Sequence, residues 1–156
     1  MTRWLGFSSG QNARIILQKN VWGVPMRFFN WIVRTEIGDT LLIYVDQQGA
    51  GRAASPPTVA ACFEIVSDVY RDTARIFPGP VNFGDGVLPY RVALRPIAVF
   101  DPPISLEPLI PKLSFVADKQ QWSDYIRGQA MRAIPEDDFR MIMDAQRRAM
   151  PVPPMA

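Results

Sequence analysis

A tryptophan beside a glycine is the pairing in this chain best suited to holding a ligand. At Trp22-Gly23 a large π-face lies next to a residue with no side chain, which leaves room for a flat ring to stack. Every nucleobase offers such a face. The same indole can equally serve as a core residue, and the residues alone leave both roles open. Other chemistries are thinner. The chain has no histidine and one cysteine, Cys62, which removes Ser-His-Asp and Cys-His catalysis and most zinc or iron sites. Cys62 sits in an apolar run and reads as a small packed residue. Lys112 with a carboxylate is the enzymatic option left, and no spacing supports it. Glu136-Asp137-Asp138 reads as a helix start, where carboxylates meet the positive end of the helix dipole, and not as a metal site. No cofactor is expected.

Composition frames these choices. A chain of 156 residues, 48% hydrophobic and 21% charged, is expected to form one domain over residues 1–150 with a short tail. Seventeen basic and fifteen acidic residues leave a net charge of +2, too small to argue for bulk nucleic-acid binding on charge alone. No run of 18 apolar residues exists, so no membrane span is expected. The N-terminus lacks the apolar stretch of a signal peptide, and a lone cysteine suits a reducing setting; a cytoplasmic location is expected.

The elements that must position Trp22 are organised around Ile37–Val45. Gly38-Asp39 is a turn signal, and Thr40–Val45 follows with apolar residues on both faces of the pleat. A strand buried on both sides is the central wall of a sheet or small barrel. Upstream, Arg3–Ser8 reads as the first strand, and Ser9 caps a helix that Asn20 closes. Val21–Pro25 reads as an irregular segment carrying the Trp22 ring at the lip of the sheet. The aromatic stretch Met26–Glu36 reads as a strap over one end, with Trp31, like Trp4 and Trp122, in the core.

Downstream, Thr58–Val66 is a strand with Val59, Ala61, Phe63 and Ile65 on one face. Gln47–Pro57 is an exposed loop, and Ser67–Pro89 a long aromatic excursion. Tyr90–Val99 alternates, with Tyr90, Val92 and Leu94 inward and Arg91, Ala93 and Arg95 outward. Pro96 marks an edge or bulge, Asp101-Pro102-Pro103 ends the strand, and Ser105 caps a short turn. Asp118 caps a helix bearing Trp122, Tyr125 and Ile126. Met131–Ile134 is the last strand. Pro135 opens a last helix with Phe139, Ile142 and Met143 as its buried stripe, and the Pro151–Ala156 tail is extended and disordered. The whole is an α+β fold, a mixed β-barrel of five to six strands decorated by helices.

Leu109-Ile110-Pro111-Lys112-Leu113-Ser114-Phe115, then Lys119, Trp122, Tyr125, Arg127-Gly128, Ile134, Glu136, Asp138 and Phe139, resemble the EVE domain pattern. Val21-Trp22-Gly23-Val24 and Ile37–Tyr44 are similar to it upstream. The EVE domain is a member of the PUA-like superfamily and related to YTH domains. The resemblance implies a PUA-like barrel without catalysis that binds nucleic acid carrying a modified, for example methylated, base. It places Trp22, with Gly23, where a cage tryptophan stands in related domains, and Ser8, Ser9 and Asn12 where polar pocket residues follow the first strand. Phe77, Phe83 and Tyr90 are the candidates for a second wall. Ser114 and Phe115 either touch the pocket or anchor the last helix. Lys112, Lys119, Arg127 and Arg132 form either a solvated face or a phosphate-binding strip. A nucleoside or amide hydrolase and an interaction module with a vestigial pocket stand as alternatives. No membrane partner is expected, and the chain is expected to be a monomer or weak homodimer.

Overall fold

Apolar alternation on both faces of Thr40–Val45 lets two separate layers pack on one sheet, and that is what the chain does. The computed structural model describes residues 1–46, 57–78, 87–117 and 129–149. Strands β1 (Arg3–Ser8), β2 (Val21–Val24), β3 (Thr40–Val45), β4 (Thr58–Ile65), β5 (Tyr70–Arg71), β6 (Tyr90–Ser105) and β7 (Met131–Ile134) form one curled sheet. Its order is β2-β6-β4-β3-β1-β7, with β5 added on β6. β1 and β3 run parallel, and the remaining pairs are antiparallel. The sheet curls into a half-barrel. The end strands β2 and β7 are not paired with each other among the described residues.

All six residues of β3 are buried, as a central wall requires. Leu41, Ile43 and Val45 face one core together with Trp4, Trp22 and Ile16. Leu42 and Tyr44 face a second core with Leu5, Phe100 and Ile142. Helix α1 (Gly10–Lys19) covers the first core. A 3-10 turn at Met26–Phe28 runs into α2 (Phe29–Ile32), and a second 3-10 turn spans Glu107–Lys112. The last helix, α3 (Glu136–Ala149), covers the second core. Among the described residues no helix is long and apolar enough to cross a membrane.

Several local readings hold at residue level. The Ser9 hydroxyl accepts the Asn12 amide at 3.2 Å, and Asn20 closes α1 in the left-handed region. Gly38, at φ +98°, makes the turn into β3. Pro96 stands at a bulge, since Phe63 faces Pro96 and Cys62 faces Ala98, leaving Ile97 unpaired. Cys62 is buried, and burial pushes its thiol up to about 11, which leaves it unreactive near neutral pH.

Other readings need correction. Val21–Val24 is a regular buried strand, not an irregular lip, because four consecutive residues pair with Tyr90, Arg91, Val92 and Ala93 of β6. A register shift between Val59 and Ala61 sends Val59 into the second core, away from Ala61, Phe63 and Ile65. β6 continues through Asp101-Pro102-Pro103 to Ser105, since Val59 and Thr58 of β4 still pair with Ile104 and Ser105. Leu106, not Ser105, precedes the second 3-10 turn, and no side chain caps it. Arg91 stays on the face opposite Val92 but is buried there, and Trp31 is 40% exposed. Residues 47–56 of the expected loop, the expected helix bearing Trp122 and the tail at 151–156 lie outside the described residues.

Candidate functional site

Period-two alternation in β1 puts Trp4, Gly6 and Ser8 on the face that meets the first core, with Leu5 and Phe7 on the other. Gly6 is the gap in that row, and the indole of Trp22 fills it. A Cβ on Gly6 would lie 2.8 Å from Trp22 Cη2, 2.9 Å from Cζ2 and 3.1 Å from Cζ3. The six-membered ring therefore sits against bare backbone, an approach that only glycine permits. Trp22 is 3% exposed. Its Nε1–H is the one buried side-chain donor or acceptor without a hydrogen-bond partner among the described residues. Such an orphan costs about 1–3 kcal/mol and calls for a reason.

Ser8, Ser9 and Asn12 are grouped at the junction of β1 and α1, and Ser8 and Asn12 are buried. The Ser8 hydroxyl donates to the Ser9 carbonyl at 2.8 Å, and Ser9 Oγ is used as the cap of α1. Ser8 shares the β1 face of Gly6, so this polar corner lies two residues along from the backbone that carries the indole.

The second-wall candidates separate. Tyr90 stands opposite Val24, and Val92 opposite Trp22, so Tyr90 shares the Trp22 face of the β2–β6 pair. Its ring tilts against Phe29 with centroids 4.7 Å apart. Phe77 lies on the other face: a Cβ on Gly23 would meet Phe77 Cε2 at 3.2 Å and Arg91 Cγ at 3.3 Å. Gly23 thus makes room for Phe77 and Arg91 on the face away from Trp22. Phe83 lies outside the described residues.

Arg91, which alternation assigns to the outer face, is 2% exposed. The reason is a ring of carbonyls from the excursion before β6. Its Nε donates to Leu88 O at 3.0 Å and its Nη2 to Val87 O at 3.1 Å and to Ala74 O. Asp72 stands 3.5 Å from Nη1, and the guanidinium lies 5.4 Å from the Phe77 ring centroid. A buried cation hydrogen-bonded in this way fastens both ends of the excursion to the sheet.

The motif residues downstream are anchors. Asp138 is buried and accepts the Ser114 amide at 3.0 Å, the Phe115 amide at 2.8 Å and the Ser114 hydroxyl at 3.1 Å. Glu136 bonds Arg3 at 2.8 Å. Two of the three carboxylates of this helix start thus hold α3, Glu136 to β1 and Asp138 to the segment after the second 3-10 turn.

Residues 2–145 match the sequence pattern of the EVE domain. The chain belongs to the EVE domain family. A UPF0310 protein of Pyrococcus abyssi is 39% identical over 142 residues, covering 91% of this chain and 97% of that protein. The EVE chain also shares its fold with the human THYN1 protein, solved with 5-methylcytosine-containing DNA. That match has a TM-score of 0.60 at 14% identity and covers 94% and 98% of the two chains. The Mmi1 YTH domain, solved with RNA, matches at a TM-score of 0.61 and 8% identity over 95% and 79%. These likenesses place the fold among PUA-like domains of the EVE and YTH type.

Sequence reasoning missed Gly6 and Arg91. A glycine inside a strand pattern was the available signal for Gly6, since it marks a close approach. Arg91 gave none, because period-two alternation alone assigns it to solvent.

Proposed function

We propose that this EVE domain is a non-enzymatic module that binds a modified, for example methylated, nucleobase in DNA or RNA. Trp22 is the stacking wall, and Tyr90 is the ring on its side of the sheet. Ser8, Ser9 and Asn12 read the base edge. The buried Nε1–H of Trp22, without a partner among the described residues, carries this reading. A donor left without a partner in the free protein gains one when a base brings a carbonyl or ring nitrogen, and the orphan cost is then recovered on binding. The fold relatives solved with methylated DNA and with RNA support the same class of ligand.

Stacking supplies affinity of about 1–3 kcal/mol per base and tolerates any base. The polar corner must supply the choice. Because the ring is buried, base entry has to part the side chains packed around it, so Trp22 emission should change on binding. A base in a duplex must first be flipped out, at a few kcal/mol, so single strands should bind better.

The test is titration of methylated and unmodified oligonucleotides against the wild type, Trp22→Phe and Asn12→Ala. Trp22→Phe keeps an aromatic ring while deleting the N–H, and should weaken binding of the modified strand roughly tenfold with the fold intact. Asn12→Ala should narrow the preference for the modified base. Equal binding of modified and plain strands by the wild type would end this reading.

A further inference from the structure

Trp31 belongs in the core on sequence grounds, and its exposure leaves a large ring at the surface that packing does not explain. Beside it runs an open groove of about 420 Å³ lined by Phe28, Trp31, Gln129, Met131, Arg132 and Ala133, between the Met26–Phe28 and Phe29–Ile32 turns and β7. Two aromatic rings and an arginine line it, with no carboxylate among the described lining residues. Each ring carries a cation: Arg34 Cζ lies 5.0 Å from the Trp31 centroid, and Arg27 Cζ lies 5.3 Å from that of Phe28. Arg132 is among the lining residues, and its Cζ lies 5.2 Å from the Phe115 centroid.

The groove is joined to the site already described. Gly6, which carries the Trp22 ring, stands opposite Met131 of β7, and Met131 lines the groove. Met131 and Trp22 belong to one packed core. One strand therefore separates the indole wall from the groove floor.

We propose that this groove is the track for the single-stranded nucleic acid on one side of the base held at Trp22. The placement rests on the function proposed above, but the groove's own chemistry does not depend on which base is read. Exposed aromatic faces with arginines stacked on them are the pattern that holds single strands: bases stack on the rings, and the guanidinium groups meet phosphates. Local cation density of this kind gives binding that the net charge of +2 conceals. An apolar protein surface would need no such cations; a strand of phosphates does.

The experiment uses the full chain and unmodified, mixed-sequence single-stranded DNA and RNA, followed by anisotropy at several salt concentrations. The wild type should bind these strands, and more tightly than the matching duplex. Trp31→Ala should lose roughly tenfold or more, the effect of one stacked base. Arg34→Gln and Arg132→Gln should each lower the slope of log affinity against log salt by about one. Circular dichroism checks that each variant is folded, and Arg34, being exposed, keeps the test open should Arg132→Gln unfold. Absence of single-strand binding, equal binding of duplex, or an unaffected Trp31→Ala would overturn the track and leave the groove to a protein partner. A wild type that binds plain and modified strands equally would defeat the base-reading function while leaving this one standing.

Discussion

Trp4 and Trp22 are both 3% exposed and pack in the same core, yet their indole N–H groups have opposite fates. Trp4 Nε1 donates to Asp39 Oδ2 at 2.9 Å. The same buried carboxylate accepts the Thr2 and Glu36 amides, both at 2.9 Å, so every donor at that corner is satisfied. Trp22 Nε1 has no partner among the described residues. Burial alone therefore does not separate a structural tryptophan from one held ready for a ligand. Polar satisfaction does, because a core under selection for stability alone would not keep a donor that costs about 1–3 kcal/mol.

The comparison can be broken from either end. Asp39→Ala strips the acceptor from the Trp4 indole and two backbone amides, and should cost roughly 3 kcal/mol or more in urea unfolding. Trp4→Phe removes one of those donors and should cost about 1–3 kcal/mol. Trp22→Phe removes an orphan donor along with some ring volume. The two changes oppose each other, and the net effect should stay within about 1 kcal/mol. Equal losses for the two Trp→Phe variants would mean that Trp22 is as structural as Trp4. Gly6→Ala sharpens the contrast, since its Cβ must displace the Trp22 ring by several tenths of an ångström. Overpacking of this kind costs about 1–3 kcal/mol, and the change should shift Trp22 emission and reduce binding together.

How much of this was legible follows from the range of the interactions. β1, β3 and β7 stand at the residues read from the sequence, because alternation and turn residues are local signals. The Ser9 cap was legible for the same reason. Trp22 was marked by its neighbour, but Gly23 serves Phe77 and Arg91 on the opposite face, while the glycine that matters to the indole is Gly6 on another strand. Nothing local in Ser114 or Phe115 shows that Asp138 will collect their amides. Arg91 keeps to its own face of β6, but the carbonyls of Val87, Leu88 and Ala74 fold over that face and take the place of water around its charge. Val59 changes face because of a bulge, and a bulge inserts one residue without a composition signal strong enough to read.

The smallest expected effect lies on the outer rim of the Trp4 corner. Arg3 Nε and Nη2 donate to the two Glu136 oxygens at 2.8 and 3.2 Å, and Nη1 reaches Thr40 Oγ1 at 3.2 Å. The hydrogen bonds from Arg3, then the charges of Arg3 and Arg140, hold the Glu136 carboxyl below its ordinary value. A carboxyl whose pKa is lower folded than unfolded binds its proton more weakly in the native state. Its contribution to stability is therefore full above the ordinary value near 4.5 and is lost as pH falls through the lower, folded value. Since Glu136 is fully solvated, the effect is small and salt weakens it. Glu136→Gln should flatten the acid limb of the stability profile, and added salt should flatten it in the wild type. The emission of Trp4, next to Arg3 on β1, should follow that titration, whereas Trp22, anchored across the core on β2, should not. If both tryptophans respond together in acid, the two regions are one cooperative unit, and the contrast between them does not extend to their response to pH.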